Sequence, residues 1–151
     1  FRQHPDSQLV FIEKSPGMIA KAQSRTTPCM NISFVRADFL THSEADSYDL
    51  VLLPFFLDIF THESVERIVK SVSQVSKPNT LLIVTDFVEQ EKRGWKSLLI
   101  RGMYLFFRLT CDIEAHRLPN WQEAFARAGW NIKQSATYCR GMIGTHLLAR
   151  S

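Results

Sequence analysis

The sequence predicts an α/β domain: a mostly parallel sheet that ends in an antiparallel C-terminal hairpin. Three observations carry this. Short apolar runs of strand length alternate with stretches of helical periodicity, the pattern of βαβ units with helices on both faces of the sheet. Several of those runs end in a carboxylate. The last two strand-like runs are joined by only Cys139-Arg140-Gly141, too short for a parallel crossover.

Leu9-Val10-Phe11-Ile12 reads as a short strand buried on both faces and ending in Glu13. Ser15 caps a helix with Pro16 at its first position, and Met18, Ile19 and Ala22 give it an apolar face down to about Arg25. Thr26-Thr27-Pro28 breaks it. Ile32–Arg36 is a second strand, leading into Ala37-Asp38-Phe39. After the polar loop Thr41–Ser47, Tyr48–Leu53 reads as an almost wholly buried strand. Thr61 or His62 opens a helix whose Val65, Ile68, Val69, Val72 and Val75 share one face. Lys77-Pro78-Asn79 is a turn, and Thr80–Asp86 is another buried strand with an acid at its end.

The second half changes character. From Gly94 to Thr110 the segment is helical in pattern, aromatic-rich and apolar most of the way round, so something must cover it. A helix runs from Leu118 through Ala128, with Gly129 as its C-cap. Trp130–Tyr138 and Met142–Ala149 form the hairpin. At the other end, Phe1 to Ser7 reads as the tail of a helix, stopped at His4-Pro5-Asp6. The chain is expected to begin inside an element.

Composition narrows the function classes. With 151 residues, 45% hydrophobic and 22% charged, the chain is expected to form one ordinary globular domain over 1–151, cytoplasmic and with a helical cover segment at about 90–120. A net charge of +3 is spread along the chain and is not expected to hold nucleic acid. Cys29, Cys111 and Cys139 lie far apart, without metal-ligand spacing, which fits a reducing compartment and no metal site. No signal-peptide pattern opens these residues, and no apolar run reaches the ~18 residues of a membrane span.

Open α/β sheets bind nucleotides just beyond the carboxyl ends of their strands. Glu13 stands at such an end, where a carboxylate's two oxygens match the vicinal hydroxyls of a ribose. A surface Glu that merely finishes a strand is the competing reading.

The ordered set of motifs resembles the class I S-adenosylmethionine-dependent methyltransferases, in particular small ones similar to the ubiquinone and menaquinone methylases. Leu9 to Ala22 looks like the family's second strand, with its acid followed by Ser-x-x-Met and a helix. Phe34 to Phe39 looks like the third strand and its Asp, Tyr48 to Ile59 like the fourth. Lys77 to Asp86 looks like the Leu-Lys-Pro-Gly-Gly turn and fifth strand, although Asn79 stands where Gly is usual. The final hairpin resembles the reversed strand pair of a three-layer Rossmann-like methyltransferase fold.

The resemblance implies S-adenosylmethionine as cofactor and assigns roles. Glu13 would hold the ribose, with Lys14 and Ser15 beside it, and Met18 would pack on the adenine. Asp38 would accept the adenine amino group, and the Phe39 N–H would reach a ring nitrogen. Leu53, Pro54 and Phe55 would line the methyl-transfer region. An adenine needs an acceptor for its amino group and apolar walls for its ring, and Asp38 between Ala37 and Phe39 offers both. A loop-capping Asp38 and a core Met18 are the plainer alternatives.

The sulfonium is already an activated donor, so the protein mainly positions the acceptor and excludes water. Where the acceptor must lose a proton, the candidate bases are Asp86, Asp58 and His62, then Glu89 and His116. For Asp58 and His62, capping of the adjacent helix is the alternative. His146, inside the last strand, reads as a structural histidine. The segment Trp95–Leu109 suggests a hydrophobic small-molecule acceptor. A helix packed on the sheet or in a homodimer interface accounts for it equally well. Arg93, Lys96, Arg101 and Arg108 flank its apolar residues, a weaker pointer to a membrane surface.

One family element is missing from these residues. A glycine-rich loop should lie roughly 20 residues ahead of the acid at the second strand's tip, and no G-x-G run exists in the chain. In this fold the strand before that loop lies between the strands at Leu9–Ile12 and Leu50–Leu53. Each buried backbone group left without it costs about 1–3 kcal/mol. The expectation is an N-terminally incomplete domain, inactive by itself, whose native form carries about 30–60 more residues or a partner's strand. An NAD-type Rossmann protein and a non-catalytic methyltransferase-like subunit of a complex are the rival classes. Isothermal calorimetry of residues 1–151 with S-adenosylhomocysteine should show no micromolar binding.

Overall fold

The computed structural model describes residues 6–27, 31–42, 47–88 and 120–150, which fall into two compact units, 1–44 and 45–151. The apolar segment 95–109, Glu89 and His116 lie outside the described residues.

In the first unit, β1 (Leu9–Glu13) and β2 (Ile32–Arg36) pair in parallel, with Leu9 opposite Ile32 and Glu13 opposite Arg36. Phe11 meets Phe34 across the ladder, edge to face, with ring centroids 5.7 Å apart. Between the strands runs α1 (Pro16–Gln23). Its N-cap Ser15 accepts the Met18 N–H, as Ser15-Pro16 predicts. β1 is half-buried along its whole length rather than buried on both faces.

The second unit holds a four-stranded mixed sheet of β3 (Tyr48–Pro54), β4 (Ser76–Phe87), β5 (Trp130–Tyr138) and β6 (Ile143–Arg150), in the order β3-β4-β6-β5. β3 and β4 are parallel; β6 runs antiparallel to both β4 and β5. The hairpin between β5 and β6 is therefore as predicted. Its turn puts Cys139, Arg140 and Gly141 in the left-handed region, with φ of 51°, 57° and 84°. At the start of β4 the register jumps from Tyr48–Ser76 to Leu50–Leu81, so Lys77-Pro78-Asn79 bulges out of the ladder where a turn is expected. Among the described residues no ladder joins β1 to β3. The α/β arrangement with a mixed sheet is present, and the described strands fall into a two-stranded and a four-stranded sheet.

Helices α2 (His62–Gln74) and α3 (Trp121–Arg127) pack against each other. Thr61 caps α2 by accepting the Ser64 N–H, and Asn120 caps α3 in a box with Glu123. Gly129, at φ 84°, ends α3 as the sequence predicts. Val65, Ile68, Val69 and Val72 of α2 join Trp121, Ala124 and Phe125 of α3 in the core. Leu53, Leu82, Val84 and Leu148 complete it from the sheet. Arg127 pairs with Glu66 between the helices, and the Trp130 Nε1–H donates to Ser73 Oγ at 3.2 Å.

Alternation then decides burial along β4. Thr80, Leu82, Val84 and Asp86 are buried, while Leu81 on the opposite face is exposed. Leu50 and Leu52 of β3 share Leu81's face and are 48% and 49% exposed. The expectation of an almost wholly buried β3 is thus corrected. Among the described residues the helices α2 and α3 supply a core to one face only, and period-2 side chains on the other face stay open. Leu82→Ala should cost about 2–5 kcal/mol in urea unfolding. Leu81→Ala, one residue away, should cost less than half as much.

Candidate functional site

In the first unit two acids emerge at the carboxyl ends of adjacent parallel strands. Glu13 is the last residue of β1, and Asp38 lies two residues beyond β2. The Glu13 Oε1 accepts the Ser15 N–H at 2.8 Å, while Oε2 makes no hydrogen bond among the described residues. Asp38 Oδ1 accepts the Leu40 N–H at 3.0 Å and Oδ2 accepts from Lys14 Nζ at 3.0 Å. Its main-chain oxygen takes the N–H groups of Thr41 and His42. So Asp38 does cap its own turn, and it also reaches across to the residue after Glu13. Ser15 caps α1 and Met18 stands 52% exposed on that helix. Phe39 sits half-buried in the Asp38 turn. The Lys14–Asp38 pair went unread in the sequence, although parallel β1 and β2 place residue 14 beside the end of β2.

The second unit gathers a different group at the carboxyl ends of β3 and β4. Leu53 is buried and Pro54 ends β3. Phe55 follows with a left-handed backbone, φ 50°. The Phe55 N–H donates to Thr85 O at 2.7 Å, and its ring lies 5.3 Å from that of Phe87. The chain then makes a 3-10 turn, Leu57–Ile59, that buries Leu57 and Asp58. Asp86 Oδ2 accepts the N–H groups of Leu57 (3.1 Å) and Asp58 (3.2 Å), and Oδ1 accepts that of Phe87 (3.1 Å). Asp58, whose own N–H is one of these donors, is buried beside Asp86.

Burial governs the chemistry of this pair. Asp86 is 3% exposed and Asp58 6%. Desolvation first, then the neighbouring Asp58 charge, raises the Asp86 carboxyl to about 7, against the three N–H donors that lower it. Burial likewise pushes Asp58 up. This partnership was missed in the sequence. Its signal was an acid inside the apolar run Phe55-Phe56-Leu57-Asp58-Ile59-Phe60, because a carboxylate there needs a buried partner.

His62 is apart from this pair in its bonding. It is the exposed first residue of α2, with Nε2 3.7 Å from Glu66 Oε1. The cap of α2 is Thr61, so neither Asp58 nor His62 serves as one. His146, as its reading predicts, packs in the sheet. It faces the Trp121 ring and bonds Ser135 Oγ through Nδ1 at 2.9 Å, and burial lowers its pKa. The described residues hold no cluster of metal-ligating side chains, and no helix among them is long and apolar enough to cross a membrane.

Residues 1–79, just over half of the chain, match the family model described as a methyltransferase domain. The chain belongs to that family. No curated protein matches the sequence. Solved structures share the fold. The mitomycin 7-O-methyltransferase MmcR superposes with a TM-score of 0.76 at 17% identity, over 97% of this chain and 43% of its own. CalO1, a methyltransferase in calicheamicin biosynthesis in its S-adenosylhomocysteine-bound form, gives 0.65 at 18%, over 99% and 44%. The N-methyltransferase NodS from Bradyrhizobium japonicum WM9 gives 0.64 at 14%, over 95% and 73%. This methyltransferase domain thus spans less than half the length of the first two. Membership selects the methyltransferase reading over the NAD-type alternative.

The buried pair has a measurable signature. An unfolded Asp releases its proton near 3.8, whereas folded Asp86 keeps it to about 7. The native state therefore binds more protons in that window, and stability from this group is full below the lower value and lost as pH rises through the upper one. Urea unfolding of wild type compared with Asp86→Asn should show the wild type losing relative stability from pH 4 to 7.

Proposed function

We propose that this methyltransferase domain moves a methyl group from S-adenosylmethionine to a small, hydrophobic acceptor. The observation that carries it is the pair Glu13 and Asp38, one at the end of β1 and one just past the end of β2, joined through Lys14. Their chemistry fits an adenosine. Glu13 keeps Oε2 for a ribose hydroxyl while Oε1 is fixed by the Ser15 N–H. Asp38 has its carboxylate plane set from two sides, by Leu40 and Lys14, and a carboxylate is the acceptor that an exocyclic amine requires. Exposed Met18 supplies an apolar surface nearby on α1.

Bound there, the cofactor supplies an activated methyl group, and the domain's own part is to bind, orient and exclude water. A small acceptor is supported by the relatives, whose names place them in mitomycin and calicheamicin chemistry. The apolar, aromatic residues between 95 and 109 support a hydrophobic one. Leu53, Pro54 and Phe55 take the methyl-transfer end in this reading. In the full-length protein, Glu13→Ala and Asp38→Ala should each weaken S-adenosylhomocysteine binding at least about tenfold by calorimetry, the loss of one charged hydrogen-bond acceptor. Unchanged affinity in both variants overturns the assignment.

A further inference from the structure

We propose that Lys14 is a positioning residue: its ion pair with Asp38 fixes the carboxylate that reads the adenine amino group, and so makes the site select adenine over a base that carries a carbonyl there. The inference rests on the functional reading above for the ligand, and on the first unit alone for the geometry.

The turn around Asp38 is complete without the lysine. Asp38 Oδ1 accepts the Leu40 N–H at 3.0 Å, an Asx-type contact two residues along the chain. Its main-chain oxygen accepts the N–H groups of Thr41 and His42 and the Thr41 hydroxyl. Lys14 comes from the other strand. The Ala37 N–H donates to Glu13 O at 3.2 Å, which carries the β1–β2 ladder one residue past β2. Lys14 and Asp38 are the next residues on either side, and Lys14 Nζ closes on Asp38 Oδ2 at 3.0 Å. The lysine side chain is 78% exposed and that of Asp38 35%, so the pair adds little to stability. What it adds is a direction.

A carboxyl held at one oxygen still pivots about that contact and carries the other oxygen with it. With Leu40 on Oδ1 and Lys14 on Oδ2, both oxygens are held and the plane is set. Hydrogen bonds weaken steeply as donor and acceptor leave alignment, so the plane decides how well an incoming amine is received. It also decides what is refused. An adenine presents an exocyclic amine, a donor. A hypoxanthine presents a carbonyl at the same position, and two acceptors facing each other repel. A carboxylate free to turn escapes that clash, whereas one clamped between β1 and its own turn does not. Lys14 thus acts on the ligand through Asp38, and its removal costs selectivity more than affinity.

The test measures binding of S-adenosylhomocysteine and of S-inosylhomocysteine, its hypoxanthine counterpart, to the full-length protein by calorimetry. The wild type should prefer the adenosyl ligand at least about 100-fold. Lys14→Met should narrow that preference about tenfold or more and leave the urea midpoint in place, while Lys14→Arg restores it. Lys21→Met, which removes the same charge from the exposed last turn of α1, should keep the wild-type preference. In an Asp38→Ala background Lys14→Met should change the ratio no further, since the lysine acts through that carboxylate. A wild type that takes both ligands equally, or a preference unchanged in Lys14→Met, overturns the positioning role. So does a preference narrowed as much by Lys21→Met, or narrowed further by Lys14→Met in the Asp38→Ala background. A Lys14→Met variant whose urea midpoint falls overturns it as well, because the pair is then structural. Unchanged S-adenosylhomocysteine affinity in both Glu13→Ala and Asp38→Ala is the separate failure of the functional reading, and it shows in variants that keep Lys14.

Discussion

The second unit depends on the burial of alternate side chains along β4. Thr80, Leu82, Val84 and Asp86 point to the face where α2 and α3 supply apolar partners. A strand has no freedom to choose these residues singly, because its period of two commits every second position to the same side. The parallel ladder to β3 and the antiparallel ladder to β6 both register on this strand. Val84, deep in the core, thus fixes where Asp86 must be. A carboxylate in that row is costly unless its oxygens are satisfied, and the Leu57, Asp58 and Phe87 N–H groups satisfy them.

The first unit follows a simpler constraint. Parallel strands in register end together, so an acid finishing one strand comes close to an acid just beyond its neighbour. Glu13 and Asp38, twenty-five positions apart in the chain, become neighbours through a single short helix. Lys14 then turns proximity into a fixed carboxylate orientation, with one exposed ion pair that contributes little to stability. Its value lies in geometry. Under the proposed adenosine reading such preset acceptors lower the cost of binding, and both carboxylates are held by backbone N–H groups.

Most elements were legible because their signals are local. Ser15-Pro16, Asn120 with Glu123, and Gly129 mark helix ends through capping chemistry that needs no tertiary contact. The three-residue link at Cys139–Gly141 admits only a hairpin. Burial was less legible. The apolar run Leu50-Val51-Leu52-Leu53 cannot reveal whether a second layer covers its other face, and in the described residues Leu50 and Leu52 stay exposed. Acids posed the same difficulty. A strand-end Asp has one sequence signature whether it faces a cleft or a core, so Asp86 and Asp38 looked alike.

The sequence by itself determined the class of fold, the order of strands and helices, and the acids that end the strands, because periodicity and capping are properties of neighbouring residues. Tertiary structure alone decided what each acid does. Asp38 is drawn to Lys14 at a partly exposed strand end, while Asp86 is turned inward against three backbone donors. The physical reason is the pleat of β4, which makes the face of a side chain depend on its register with distant strands rather than on its neighbours in the chain.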